Sequence, residues 1–200
     1  HLDGSIYRYS LDGGTMQKLV MHGSVPYALS WGEHICVAGN DGKVIFYTDD
    51  GNVFQRFDYS YDSTVKEFTV AAFNPAGDTV VIGNFNKFFV YGYNPRRPEW
   101  TEKLVKHIEN LYSVTALSWK PDGSKLVLGS LCGSVDVFEI CLRKARDKGK
   151  FEFTYVSVSQ VIVKELATGM KVAIKSDYGL EITKINIYQD RYIVAHTSDT

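Results

Sequence analysis

Three stretches of this 200-residue chain repeat one layout, and that repetition constrains the fold more than any single motif. They are "VPYALSWGEHICVAGNDGKVIFY" (25–47), "EFTVAAFNPAGDTVVIGNFNKFFVY" (67–91) and "SVTALSWKPDGSKLVLGSLCGSVDVF" (113–138). Each passes from an alternating run through a turn, an apolar run and a Gly-rich turn to a second alternating run. Aligning Ala28, Ala71 and Ala116 gives steps of 43 and 45 residues.

That period falls within the roughly 40–45 residues of WD40-type propeller blades. Alternation with period two, as in Val25–Trp31 and Val114–Trp119, predicts strands with one face in and one face out. "NPAGD" (74–78) and "KPDGS" (120–124) predict the first turn of each copy, with proline setting φ and glycine accepting the reversal; "WGEH" is a shortened version. "GNDGK" (39–43), "GNFNK" (83–87) and "GSLCGS" (129–134) predict the second. With a looser fourth segment such as "NVFQRFDY" (52–59), each copy is a small four-stranded sheet with two apolar faces, which must stack on its neighbours. The expected blade-to-blade core is Leu29, Ile35, Val37, Val44, Phe46, Ala72, Val81, Phe89, Leu117, Leu126, Leu128, Val135 and Val137. The fold class is therefore all-β, built of WD40-like propeller blades.

"HLDGSIYRY" (1–9) aligns with "SLCGSVDVF" (130–138), so the chain is expected to open inside a hairpin turn of an incomplete blade. "EITKINIYQDRYIVAHTSDT" (181–200) supplies two strands and then a turn. The period breaks between, where "CLRKARDKGK" (141–150) inserts five basic residues and "FEFTYVSVSQVIVKELATGMKVAIKS" (151–176) predicts a hairpin turning at "ATGM". The expected organisation is the last blades of one propeller over 1–140, a basic linker over 141–150, and the opening strands of a second propeller over 151–200. An excerpt of this kind is expected to self-associate through uncovered edges and faces.

A net charge of −1 gives no overall attraction for nucleic acid or anionic membrane, and leaves local basic patches to be read individually. Cys36, Cys132 and Cys141 form no Cys-x-x-Cys pair, which suits a reducing compartment. No apolar run nears the roughly 18 residues of a membrane helix, and the first residues lack signal-peptide order, so the expectation is a soluble protein that is not secreted. His1, His22, His34, His107 and His196 are scattered, without the spacing of a metal site. Asp3, Asp41, Asp49, Asp50, Asp78 and Asp122 lie in glycine-containing turns, where a short acceptor caps the local backbone. No catalytic, cofactor-binding or metal-binding residue is nominated. Two stretches are nominated for protein contact: "NPRRPEW", with Arg96, Arg97 and an exposed-looking Trp100, and the basic stretch, with Arg143, Lys144 and Arg146; the alternatives are a rigid surface loop whose Trp100 packs on the blade edge, and a solvated interdomain linker. The latter would attract an acidic protein surface, tubulin tails or anionic lipid. Without interleaved aromatics it does not fit single-stranded nucleic acid.

The strings "YALSWG", "AGNDGKVIFY", "QRFDYSYD", "IENLYSVTALSWKPDGSKL", "GSLCGSVDVF", "FEFTYVSVSQVIVK" and "INIYQDRYIVAHTSDT" together resemble, in order and along the whole chain, the large peripheral subunits of intraflagellar transport complex B. The resemblance implies two tandem β-propellers followed by a long helical-repeat tail. It also implies a non-enzymatic scaffold of transport trains, needed for cilium assembly and train turnaround and located in the cilium or flagellum, at the ciliary base and in the cytoplasm. Its implied partners are other complex B subunits, with tubulin or a membrane surface as further candidates, and neither nucleic acid nor a small-molecule substrate. An enzymatic propeller, hydrolase or quinone-dependent dehydrogenase, and a coat-like membrane scaffold are the alternatives. The chain departs from the common WD40 pattern, because Phe46-Tyr47, Val90-Tyr91 and Val137-Phe138 stand where Trp-Asp would close each third strand. The usual histidine-to-Trp-Asp hydrogen bonds are therefore not expected, and apolar packing must do more.

Overall fold

The computed structural model describes residues 1–198, which form six small antiparallel sheets in chain order. The first pairs β1 (Ser5–Tyr9) with β2 (Met16–Met21). The second holds β3 (Ala28–Trp31), β4 (Ile35–Ala38), β5 (Lys43–Tyr47) and β6 (Val53–Asp58). The third holds β7 (Val70–Phe73), β8 (Thr79–Gly83), β9 (Lys87–Asn94) and β10 (Glu99–His107), and the fourth β11 (Val114–Trp119), β12 (Lys125–Ser130) and β13 (Val135–Glu139). The fifth contains β14 (Arg143–Asp147), β15 (Phe151–Tyr155), β16 (Gln160–Glu165) and β17 (Lys171–Lys175), and the sixth β18 (Ile182–Tyr188) with β19 (Tyr192–Thr197). The end of the turn expected after β19 falls on residues 199–200, outside the described residues.

The predicted turns form where the sequence places them. Gly77 and Gly123 take φ of +80° and +68° at equivalent positions of two copies, a conformation that a side chain at Cβ would strain. "GNFNK" makes its reversal with no positive-φ residue. "ATGM" turns between β16 and β17, but the stretch around it is more than a hairpin. β15 precedes it, and β14 lies within the expected linker and pairs with β15 from Arg143↔Tyr155 to Asp147↔Phe151. The stretch 141–150 thus contributes a sheet strand, because its alternating Ala145 can face the core while the charged neighbours face out.

Alternation gives the middle sheets two buried faces. On β4, Ile35 and Val37 pack toward the first sheet with Ile6, Leu19 and Val20, while Cys36 and Ala38 join the third sheet's cluster. That cluster unites Val44 and Phe46 with Phe68, Val80, Ile82, Phe89, Tyr91 and Trp100. Val81 and Phe88 meet Val114, Leu126 and Leu128 between the third and fourth sheets, and Phe153, Tyr155 and Val161 meet Ile182, Ile185 and Ile187 between the fifth and sixth. No apolar cluster of buried residues joins the fourth sheet to the fifth among the described residues. Of the expected core, Ile35, Val37, Val44, Phe46, Val81, Phe89, Leu126 and Leu128 are buried, and Leu117 and Ala72 are half-buried. Leu29, Val135 and Val137 are instead 49%, 69% and 58% exposed. Leu29 shares a face with Val37 toward the two-stranded first sheet, and β13 turns its valines away from the third sheet, so no described strand lies over either place.

The Trp-Asp position carries a different clasp. Tyr47 and Tyr91 occupy equivalent places in their copies, each facing the preceding sheet. The Tyr47 hydroxyl meets His22 Nδ1 at 2.9 Å, and the Tyr91 hydroxyl meets that of Tyr59 at 2.6 Å, which in turn donates to the Glu102 carboxylate. His22 and Tyr59 both lie in the segments leading into the blade, so each tyrosine ties the entry of its blade to its third strand. Asn84, fully buried, adds a second tie by accepting from Lys66 N–H and donating to the Lys66 and Glu67 carbonyls. Phe138 has no hydroxyl and stabilises its sheet by apolar packing, edge-on to Phe88 within the cluster between the third and fourth sheets.

Burial holds the His22 and His34 imidazoles below their ordinary pKa, and His34 Nδ1 accepts from the Trp100 indole at 3.3 Å. Because the folded values are depressed, the unfolded state binds protons first as pH falls. Stability is therefore full above the unfolded value of about 6.5 and declines as pH drops through it. Chemical denaturation of the propeller-containing protein at pH 7.5 and 5.5 should show this loss. Tyr91→Phe should cost about 1 kcal/mol, and Trp100→Ala about 3–5 kcal/mol.

Candidate protein-interaction surface

Arg96 and Arg97 lie in the turn joining β9 to β10, where the Asn94 side-chain oxygen accepts the Arg96 N–H at 3.1 Å. Arg96 reaches Glu181 just before β18 at 3.0 Å, and Arg97 is exposed without an ion pair among the described residues. Trp100, expected at the surface beside them, is 1% exposed. It alternates inward on β10 and stacks on Phe46 with centroids 4.4 Å apart and planes 6° from parallel. Gln55 locks its backbone from the second sheet, donating to the Trp100 carbonyl and accepting its N–H, both at 2.7 Å. Trp100 is thus a core residue, and this turn offers two arginines without an aromatic anchor.

The basic stretch divides by strand geometry. Arg143 lies over the Tyr155 ring at 4.0 Å, and Lys150 pairs with Asp190 at 2.5 Å, which raises the lysine and lowers the aspartate from their ordinary pKa. Lys144 and Arg146 project from the opposite face of β14, where register opposes Arg146 to Glu152, Glu152 to Lys164 and Lys164 to Lys171. One row across all four strands therefore reads Arg, Glu, Lys, Lys. The adjacent row is Lys144, Thr154, Ile162 and Ala173. The sheet's other face holds Phe151, Phe153, Tyr155, Val161 and Val163 against the sixth sheet. Arg146 reaches Glu152 at 3.4 Å, while Lys144, Lys164 and Lys171 have no ion pair among the described residues. Lys164 and Lys171 escaped the sequence reading because it sought runs of charge. The signal present was phase: Lys164 alternates with Val161 and Val163, so it must leave the face they bury.

A polar junction joins the third and fourth sheets to the fifth, where no apolar cluster does. Ser157 and Ser159, in the loop entering β16, and Gln160, its first residue, are all buried. Ser159 donates to Asp78 Oδ2 at 3.0 Å, and Gln160 Nε2 donates to the Asp122 carbonyl at 2.7 Å. Asn74 and Thr79 donate to Asp78 Oδ1 at 2.8 and 3.1 Å, and Lys175 donates to the Pro75 carbonyl at 3.0 Å. The two proline-glycine turns of the repeats are thereby the seats for this loop. Asp122, Asp41 and Asp3 cap their own turns as expected, accepting N–H groups two residues on. Asp78 departs from that reading, since its second oxygen reaches across to Ser159.

Among the described residues, no group of three or more His, Cys, Asp or Glu side chains is placed to hold a metal ion. A shallow hollow of about 480 Å³ lies beside the Lys150–Asp190 pair, lined also by Phe151, Glu165 and Leu166. Among the described residues, no helix is long and apolar enough to cross a membrane.

No protein-family model matches the chain. It is 52% identical over its whole length to intraflagellar transport protein 172 of Chlamydomonas reinhardtii, and 48% identical to the human intraflagellar transport protein 172 homolog. It is 35% identical to intraflagellar transport protein osm-1 of Caenorhabditis elegans. In each case all of this chain matches 12% of the relative, so it spans about an eighth of the length of the curated relatives it matches. Among solved structures it resembles Saccharomyces cerevisiae Sqt1, with a TM-score of 0.54 at 12% identity, covering 98% of this chain and 65% of that one. A chain of the mitotic checkpoint complex gives 0.55 at 14%, covering 97% and 64%. At such identity the likeness concerns fold alone, and the fold is that of WD40-type propeller blades.

Removing the Asp78 carboxylate leaves Ser159 and Asn74 without their acceptor, a loss of about 1.5–3 kcal/mol for a charge-assisted bond. Asp78→Ala should therefore open the junction. Timed trypsin digestion should cleave within residues 143–150 several-fold faster than in the parent protein, while Asp3→Ala, confined to its own turn, should not change that rate.

Proposed function

We propose that this chain, homologous along its whole length to a segment of intraflagellar transport protein 172, is a scaffold section of that protein, acting through protein contacts rather than chemistry. The single observation that carries the reading is identity of 48–52% over the full chain with relatives of that name from algal and vertebrate species. Those relatives tie the chain to intraflagellar transport and the cilium. The finer reading is that two propellers meet between the fourth and fifth sheets, and that their rims and edges hold other complex B subunits during cilium assembly and train turnaround. The break in apolar stacking at that point supports the division. So does the polar character of the contact that replaces it, because interfaces between domains are more polar than cores. The protein would work at the ciliary base, in the cytoplasm and along the cilium.

An enzymatic propeller would gather titratable groups at one place. Here the shifted groups lie apart: Asp58 and Asp62 are lowered by serine and threonine hydrogen bonds, the Tyr59 and Tyr91 phenols and the core Cys36 thiol are raised by burial, and the exposed Cys132 thiol is lowered to about 6 by Ser130 and its neighbours in the turn before β13. That distribution favours the scaffold.

The test is affinity capture from ciliated-cell extract with the full-length protein as bait, against a variant with Arg96, Arg97, Lys144 and Arg146 all changed to Ala. The wild type should recover complex B subunits, and the variant should lose at least one of them. Recovery of no ciliary component by the wild-type bait would reject the scaffold reading.

A further inference from the structure

We propose that the outward face of the fifth sheet is a docking surface for an acidic polypeptide, an inference that rests on the scaffold reading and names the partner chemistry at one of its surfaces. The second and third sheets bury apolar clusters on both faces, as stacking requires, whereas the fifth forms one on a single face, with Ile162 the buried apolar side chain of its outward face among the described residues. Its other face carries Lys144, Arg146, Lys164, Lys171 and Lys175, the last donating to the Pro75 carbonyl, against a single carboxylate, Glu152. Covering that face with another apolar blade would strip water from five cations, at several kcal/mol each, with only Glu152 to compensate. What covers its row from Arg146 to Lys171 must be water or an anion.

The arrangement favours an anion over water. Lys164 and Lys171 are directly opposed across β16 and β17, and like charges in that position, about 5 Å apart, destabilise the pair. Glu152, the one carboxylate in the row, sits on the far side of Lys164 and engages Arg146. The lysine pair is thus a standing local cost that a carboxylate laid between the two would relieve. Edge protection accounts for lysines on β14 and β17, the outer strands of this sheet, but Lys164 is on β16, an interior strand with both edges paired. The row spans roughly 14 Å, the width of four strands, which suits a short run of acidic side chains in an extended or helical segment.

Other anionic partners fit less well. A membrane surface is held by apolar side chains inserted beside the charges, and Ile162, the large apolar residue of the adjacent row, is 8% exposed. Single-stranded nucleic acid needs aromatic platforms, and the aromatic residues of β15 lie on the opposite face, against the sixth sheet.

The experiment measures binding of a fluorescent poly-glutamate peptide of about 15 residues to the full-length protein by anisotropy, at 50 and 300 mM NaCl. The expected result is saturable binding at low salt that weakens at least tenfold at high salt, as screened surface charges require. Lys144→Glu/Lys164→Glu/Lys171→Glu should abolish it, and the milder Lys164→Gln/Lys171→Gln, which keeps the strand pairing, should weaken it about tenfold at an unchanged melting temperature. Unaltered affinity in the Gln variant would overturn the proposal. So would binding to phosphatidylserine vesicles without binding to the peptide, which would assign the face to lipid. Failure of peptide binding while wild-type bait still captures complex B subunits would reject this surface and leave the scaffold reading standing.

Discussion

A four-stranded sheet with apolar side chains on both faces cannot bury itself, and everything else in this chain follows from that obligation. At the centre stands the contact between the second and third sheets, where Phe46 and Trp100 stack with Tyr91, Phe89 and Phe68 around them. Each aromatic pair adds about 0.5–1.5 kcal/mol beyond the area it buries. The neighbouring faces repeat the arrangement with smaller residues, so coverage passes from sheet to sheet in chain order. A sheet whose second face is polar ends such a stack, and the fifth sheet has one.

Stacking alone does not fix how each blade enters its place, and the polar ties supply that. Tyr47 with His22, and Tyr91 with Tyr59, join the entry of a blade to its third strand, while Asn84 grips the connection into the third sheet by three backbone bonds. Burial keeps the His22 imidazole neutral, so the tie between His22 and Tyr47 weakens in acid rather than at neutral pH. The junction through Asp78, Ser159 and Gln160 works differently. It sets one group of sheets against another through directed hydrogen bonds.

Much of this was legible in the chain. The period, the proline-glycine turns and the two-residue alternation gave the strands and most of the core, because each is a local signal read within a few residues. Leu29, Val135 and Val137 misled because alternation reports which face a residue occupies, not whether anything lies over it. Trp100 misled for the opposite reason: its arginine and proline neighbours suggested surface, yet one step of alternation along β10 turns it inward. The basic stretch was visible as composition, but its grouping with Lys164 and Lys171 depends on the register of three strand pairs separated by turns. The tyrosine clasps were hidden because the sought pattern was Trp-Asp, and a hydroxyl at the same place can reach the same entry segment.

The central claim is that apolar stacking through the middle sheets bears the stability while a polar junction positions the fifth and sixth. Hydrogen exchange followed by mass spectrometry on the full-length protein tests both halves at once. The account predicts the slowest exchange in β4, β5 and β8, faster exchange in β14 and β19, and protection of the Ser157–Gln160 loop well above that of the open turn at 167–170. Exchange in β4 and β8 as fast as in β14, or a loop at 157–160 exchanging like an open turn, would contradict it.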